Sequence, residues 1–530
     1  MFGSKIHRFL YFLALTGITV GLPLNKIVLS LSGLLLAVNW ILEGHYKKKI
    51  LLFTKNKVAV LLFLIFFLHI FGLIWTTDFE YALRDIRIKL PLLLFPVVIP
   101  GIEGLNKKRI NYLLFIFTVV VTLLSFINWV VFRGGETGSH TELRDLSLFV
   151  SHIRFGLMVV FASFVALVLA FSGFAKEGWK KALLFPIGIW LLYYTWYSQV
   201  LSGFLAIGLL VVALLFWFLS KNYSGTKRIV GMIIYPLIIV SVTTLVVFAV
   251  LPEKKTRPVP ADLEYTTPLG NTYTHILESD LTENGNLVFY YICKKELRQH
   301  WSEYSSVPID SLDAKGNKIY GTLIRYMASK GLRKDATDLK KLSKEDIRYI
   351  EQGVASVVYT YGGLRSRLAI VSLELQKYWD GGDPNGSTVL ERLESWETGW
   401  DIIGDHPLLG VGTGDIQNTF QQYYNVRETR LLPENRHRTH QQFLTMWVTF
   451  GIPGIALFLI LHIVFLVQVW KANLINSFIF GIVVVSSYLT EDTLETQTGA
   501  TFVAFFLIVL SAGVVKKENN GDSICYGKQK

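Results

Sequence analysis

Apolar stretches recur through this chain at the length needed to cross a bilayer, with short basic clusters between them. A helix needs about 20 apolar residues to span the hydrocarbon, where every backbone polar group must be paired within the protein. On that criterion about twelve segments qualify. They lie near 9–24, 26–42, 58–75, 89–100, 111–132, 152–173, 181–197, 199–219, 229–251, 441–469, 474–490 and 499–515. Composition agrees, with 52% hydrophobic and 17% charged residues against roughly 25% charged in soluble domains. The expected fold class is all-α, a polytopic membrane helix bundle. The fourth segment carries Pro91, Pro96 and Pro100 and is either broken or only partly inserted. The seventh and eighth run together around Ser198.

Charge gives the expected orientation. Lys47, Lys48, Lys49, Lys55, Lys57, Lys107, Lys108 and Arg109 fall on one side of such a bundle. Lys176, Lys180, Lys181, Lys221, Lys227, Arg228, Lys471, Lys516 and Lys517 join them. The opposite short loops, including the acidic stretch 490–499, hold few basic residues. The positive-inside rule then puts both termini in the cytoplasm. The segment 252–439 becomes an extracytoplasmic loop of roughly 185 residues, far longer than a connector. The expected organisation is a bundle of about nine helices over 1–251, the large loop over 252–439, about three helices over 440–515 and a tail over 516–530. The first apolar segment is followed at once by a second, without a small-residue cleavage pattern, so no removable signal peptide is expected. The net charge of +12 follows from this sidedness, with attraction to anionic membrane lipids second, and does not point to nucleic acid. Cys293 and Cys525 fall on opposite sides, which excludes a disulfide between them or a Cys-based metal site.

The loop has two parts. Residues 252–384 are polar, with turn clusters at 313–317 and 380–384, and helical spacing over 323–336 and 343–359. This part reads as a helix-rich insertion with surface charge and no evident chemistry. The signature region 385–439 is different. Thr388 and Glu391 have capping-box spacing, in which two side chains satisfy free amides at a helix start. The helix continues to Ile403 with Arg392, Trp396 and Ile403 on one face, and Gly404 is expected to end it. A glycine-rich turn, 406–415, leads to a second amphipathic helix over 416–424, then to a charged run ending at Arg438.

Several residues here are candidates for chemistry. The run Gly410-Val411-Gly412-Thr413-Gly414 lacks the preceding strand and following Lys-Ser or Lys-Thr of a phosphate-binding loop. A structural hairpin is the main reading, with amides touching a sugar or phosphate as the other. His406, His437 and His440 do not offer the converging set that zinc requires, so no metal is expected. His440 and Gln441 stand where the chain re-enters the membrane, and an ionisable group at that boundary is costly to keep dry. His440 is there either as a base or as a helix-end residue. Arginine presents a planar fork suited to phosphate oxygens, which makes Arg392, Arg436 and Arg438 candidates, against a solvated loop face. Arg154, at the outer start of the sixth segment, is either an interfacial anchor or a partner converging on His440.

Laid out together, these residues resemble the signature region of the O-antigen ligase and O-antigen polymerase superfamily of bacterial envelope glycosyltransferases. The resemblance rests on Arg392-Leu393-Glu394-Ser395-Trp396, then Asp405-His406-Pro407-Leu408-Leu409-Gly410-Val411-Gly412, then His440-Gln441 with Gly451-Ile452-Pro453-Gly454 beyond it. It implies a metal-independent inverting glycosyltransferase of the bacterial inner membrane, without cofactor, whose donor is a polyprenyl-diphosphate-linked glycan. The acceptor it implies is a hydroxyl on lipid A-core or on another glycan, with protein as a further alternative. By position, His440 takes the base role and Arg392 the main diphosphate role, with Arg154, Arg436 and Arg438 beside it. Gln441, Trp396, Gly451 and Gly454 support the motif. Many relatives carry a Ser-Arg pair in a central span, where this chain has Ser198-Gln199-Val200-Leu201-Ser202-Gly203 without arginine. A transporter for the same lipids is the rival outside the class. It would show two repeated halves with charges or helix breaks at mid-bilayer, and no such repeat is visible.

Overall fold

The computed structural model describes residues 2–103, 105–134, 146–175, 177–226, 231, 235–236, 244, 263–279, 281–379 and 381–525. Two compact units form, Met1–Pro236 with Pro384–Lys530, and Leu237–Asp383. The first unit opens with α1 (Phe2–Leu24), α2 (Lys26–Glu43), α3 (Tyr46–Lys55), α4 (Lys57–Phe71), α5 (Phe79–Lys89) and α6 (Pro91–Val98). It continues with α7 (Lys107–Gly134), α8 (His152–Phe171), α9 (Gly178–Ser198) and α10 (Leu201–Asn222). The second unit holds α11 (Lys294–His300), α12 (Ile319–Ser329), α13 (Ala336–Leu339), α14 (Lys344–Glu351) and α15 (Gly363–Trp379). The chain returns to the first unit with α16 (Thr388–Asp405), α17 (Ile416–Val426), α18 (Gln442–Lys471), α19 (Ile475–Tyr488) and α20 (Gln497–Cys525).

The chain is all-α and polytopic. Among the described residues 7 helices are long and apolar enough to cross a membrane, and Ile475–Tyr488 and Gln497–Ala512 are shorter apolar helices. The expected segment 89–100 holds the short α6, which Pro91 opens and which carries Pro96 inside it; each proline removes a backbone donor. Segment 181–197 falls within α9. Segment 229–251 lies outside the described residues apart from a few positions.

Aromatic packing brings the two ends of the chain together. Phe117 of α7 and Phe161 of α8 meet Phe506 of α20 at ring-centre distances of 5.0 and 5.3 Å, and Phe161 meets Phe480 of α19 at 5.1 Å. Lipid tails are as apolar as these side chains, so close packing rather than transfer from water holds such helices together. Edge-to-face pairs of this kind each contribute about 0.5–1.5 kcal/mol. The packing fixes the start of α8, and with it Arg154, near the turn between α19 and α20.

The second unit has its own core, with Trp301, Leu323, Tyr326, Met327 and Ile350 buried. Its one sheet, among the described residues, pairs Thr282–Glu283 with Asn286–Leu287 antiparallel. The connecting Asn284 and Gly285 both have positive φ, as a tight type I′ hairpin demands. The two expected helices are shorter than their spacing suggested. α12 stops at Ser329 and α14 at Glu351, each just before a glycine of positive φ, Gly331 and Gly353. A left-handed glycine ends a helix by taking up its last carbonyls. A capping box of Ser343 and Asp346 opens α14.

Candidate active site

The site rests on a broken helix. α18 is interrupted at Gly451, whose φ of 61° and ψ of −153° lie in a region essentially reserved for glycine. Pro453 has no N–H to give the carbonyl of Thr449, its partner in an intact helix. The glycine-rich turn fills that vacancy. Gly412 N–H donates to Thr449 O at 3.0 Å, Val411 N–H to Val448 O at 2.9 Å, and Ile452 N–H to Pro407 O at 3.0 Å. So close an approach leaves no space for side chains: a Cβ on Gly451 would lie 2.2 Å from Leu408 O, and one on Gly410 2.4 Å from Thr449 C. The run 410–414 is thus a joint between α16 and α17. Its far side is pinned as well, because Asp415 accepts from Thr77 N at 2.7 Å and from Asp78 N at 2.9 Å, where α5 starts.

α16 begins one residue earlier than its capping box suggested. Ser387 is the N-cap and Thr388 the first helical residue, and Glu391 reaches back to the N–H of Gly386 at 2.9 Å. The helix also runs past Gly404 to Asp405, since a glycine in helical conformation need not end a helix. Trp396 then points its indole N–H at Thr439 O, 2.7 Å away, fixing the backbone beside His440. Gln441 caps α18 by accepting from Leu444 N at 2.7 Å. A Cβ on Gly454 would meet Phe450 Cβ at 2.5 Å, so that glycine serves the close packing of the same break.

Charged groups converge where these elements meet the turn between α19 and α20. Arg392 pairs with Glu491, and Arg438 with Glu495 at 2.9 Å. Glu495 also takes Lys89 at 2.5 Å, and Lys89 takes Asp85 at 2.5 Å. Asp492 accepts from Thr445 at 2.7 Å, and Gln442 anchors the turn by accepting from Leu494 N at 2.8 Å. Burial disfavours both charges of Glu495 and Arg438. Lys89 and Arg438 outweigh it for Glu495 and hold that carboxyl below the usual range. Glu495, Asp492, Tyr81 and Asp85 outweigh it for Arg438 and hold the guanidinium protonated. At Glu491 burial wins over Arg392 and Arg154, and its carboxyl is pushed up to about 6.

His440 stands among these cations in a left-handed conformation, φ 47°. Burial lowers its pKa to about 4, helped by Arg392, His437, Arg438 and Arg154. At neutral pH the imidazole is therefore uncharged and able to accept a proton. Its ring lies 5.6 Å from that of His437. Arg154 faces Glu491 and Asp492 electrostatically, and its buried Nε has no hydrogen-bond partner among the described residues.

Arg154, Arg392, Arg438 and His440 are therefore gathered into one electrostatic cluster. Arg436 is turned elsewhere, donating to Leu431 O at 3.0 Å and Asn425 Oδ1 at 2.6 Å. The carboxylates Glu491, Asp492 and Glu495 carried only a topological meaning in the sequence, as an acidic loop. Three acids between two apolar helices were the available signal, because such a cluster has to meet cations when folded. Asp85 and Lys89, four apart on α5, were the other signal.

Fold and site define a class: an all-α polytopic membrane protein with a histidine and arginines gathered around the start of a broken helix. The model of the O-antigen ligase family matches residues 353–459, about a fifth of the 530 residues. That match supports the O-antigen ligase superfamily for this chain, and with it ligase- or polymerase-type function in general. Its members are glycosyltransferase-like enzymes. The matched stretch contains Arg392, Trp396, Arg438, His440, Gly451 and Gly454, and leaves out Arg154 and the acidic turn. No curated protein matches the chain.

Proposed function

We propose that this chain is an inner-membrane glycosyltransferase moving a glycan from a polyprenyl-diphosphate carrier to an acceptor hydroxyl on the periplasmic side, with lipid A-core as the acceptor. The observation that carries this reading is a neutral His440 beside Arg392, Arg438 and Arg154. A sugar hydroxyl attacks well only if its proton is removed as the bond forms, the usual task of histidine. A diphosphate leaves readily once its developing charge is met by fixed cations. His440 takes the acceptor proton while the acceptor oxygen bonds to the anomeric carbon. The bond from that carbon to the diphosphate oxygen breaks on the opposite face, inverting the centre, and polyprenyl diphosphate leaves on the guanidinium groups. No metal is assigned to the step.

Glu491 fits the same scheme. It pairs with Arg392, and the donor diphosphate takes its place. A carboxyl with a pKa near 6 gives up that pairing at less cost than one held firmly ionised.

Deleting the gene in its host and separating the surface glycans on a gel tests the function. Loss of all long-chain lipopolysaccharide, with polyprenyl-linked polymer accumulating, is the expected result. Cores carrying a single repeat mean a polymerase instead, and unchanged lipopolysaccharide with an unglycosylated protein means transfer to protein.

A further inference from the structure

Away from this site, a crevice of about 630 Å³ opens between the N-terminal ends of α1 and α7. Four cations line it, Lys5, Arg8, Lys108 and Arg109, and none of its lining residues is a carboxylate. Nearby Glu103 pairs with Lys48 at 2.5 Å and also feels Arg8, one carboxylate among several cations. Arg109 lies over the ring of Phe12, 5.8 Å from its centre, which holds the guanidinium against an apolar floor. Two helices start here, so their free amides and positive dipole ends add to the side-chain charge.

The crevice also continues into an apolar path. Ile6, Phe9 and Leu13, 53%, 65% and 47% exposed, follow one face of α1 at spacings of three and seven. Both α1 and α7 contain segments long and apolar enough to cross a membrane, so this path runs from the bilayer surface toward its interior. A small inorganic anion would engage only the cations. A molecule with a phosphate head and acyl chains would engage the cations and the apolar stripe together.

We propose that this crevice binds the headgroup of an anionic phospholipid, with Lys5, Arg8, Lys108 and Arg109 on the phosphate and the acyl chains along Ile6, Phe9 and Leu13. The volume suits such an occupant, since sites for small molecules run to roughly 300–1,000 Å³. Basic pockets between membrane helices favour anionic lipids because surface potential and local charge act together.

The test uses the full chain purified in a neutral detergent and follows thermal unfolding at constant ionic strength. Short-chain phosphatidylglycerol is titrated against phosphatidylcholine of the same chain length and against inorganic phosphate. The expected result is a saturable rise in Tm with phosphatidylglycerol that the other two do not match. Lys5→Glu with Lys108→Glu should weaken that response by about tenfold or more, without changing Tm in detergent alone. Lys47→Glu with Lys55→Glu removes the same charge from exposed positions elsewhere and should leave the response intact. If the first pair does not fold, Lys5→Gln with Lys108→Gln makes the same comparison. Equal shifts from phosphatidylcholine, a full shift from phosphate alone, or equal behaviour of the two double variants would overturn the proposal.

Discussion

At the scale of single residues, a phosphate clamp differs from a point charge in geometry. Arg392 pairs with Glu491, and a planar fork can exchange one carboxylate for two phosphate oxygens in a way an ammonium cannot. Arg392→Lys should therefore lose most transfer activity at normal protein level, measured on membranes carrying the donor; a fully active lysine variant would mean that charge alone suffices. The protonation of His440 gives a second prediction. Its pKa is lowered to about 4, so the base form persists as pH falls and disappears only near that value. An ordinary histidine would lose it near 6.5. The acid limb of kcat/KM, which reports the free enzyme, should lie well below 6, and a limb centred near 6.5 would show that His440 is not desolvated. His440 and Arg392 were legible in the sequence because they sit in a recognisable motif. Glu491 was not, since its partner lies 99 positions away in the chain and no spacing rule connects them.

Among elements, the break in α18 and the glycine-rich turn are one construction. Each supplies the hydrogen bonds that the other lacks, and neither makes sense alone. Gly451→Ala should cost about 1–3 kcal/mol in backbone conformation alone, and the Cβ contact with Leu408 O adds to it. Thermal unfolding of the purified variant should show a clear drop in Tm, or folded protein should fail to accumulate. An unchanged Tm would mean that the helix can close across the break. Both parts of this joint are visible in the sequence as glycine clusters, but their bonding to each other is not. Helix limits were legible to within a few residues and failed where local geometry decides. Ser387 took the cap from Thr388, Gly404 stayed helical, and Gly331 and Gly353 closed helices that the spacing alone would extend.

For the whole molecule, apolar runs made the all-α membrane class readable, because uninterrupted runs of about 20 apolar residues cross lipid as helices, whereas barrel strands are short and alternate. The division into units was less legible. The signature region 385–439 falls in the same unit as the helical bundle, whereas Leu237–Asp383 forms the other unit. Hydrophilicity alone does not separate a domain from the polar cap of a bundle. The lysine and arginine bias predicts the sidedness, so reporter fusions at Gly225 and Gly316 should give opposite signals; matching signals would overturn the topology and, with it, the site argument. The central claim is that the arginines hold the donor and His440 does the chemistry. It is tested by measuring donor binding and glycan transfer side by side for His440→Ala in nanodiscs. Transfer should fall by roughly 10²–10⁴-fold while donor affinity stays close to that of the unaltered protein. Transfer within about threefold of the unaltered protein, too small a loss for a missing general base, would contradict the account.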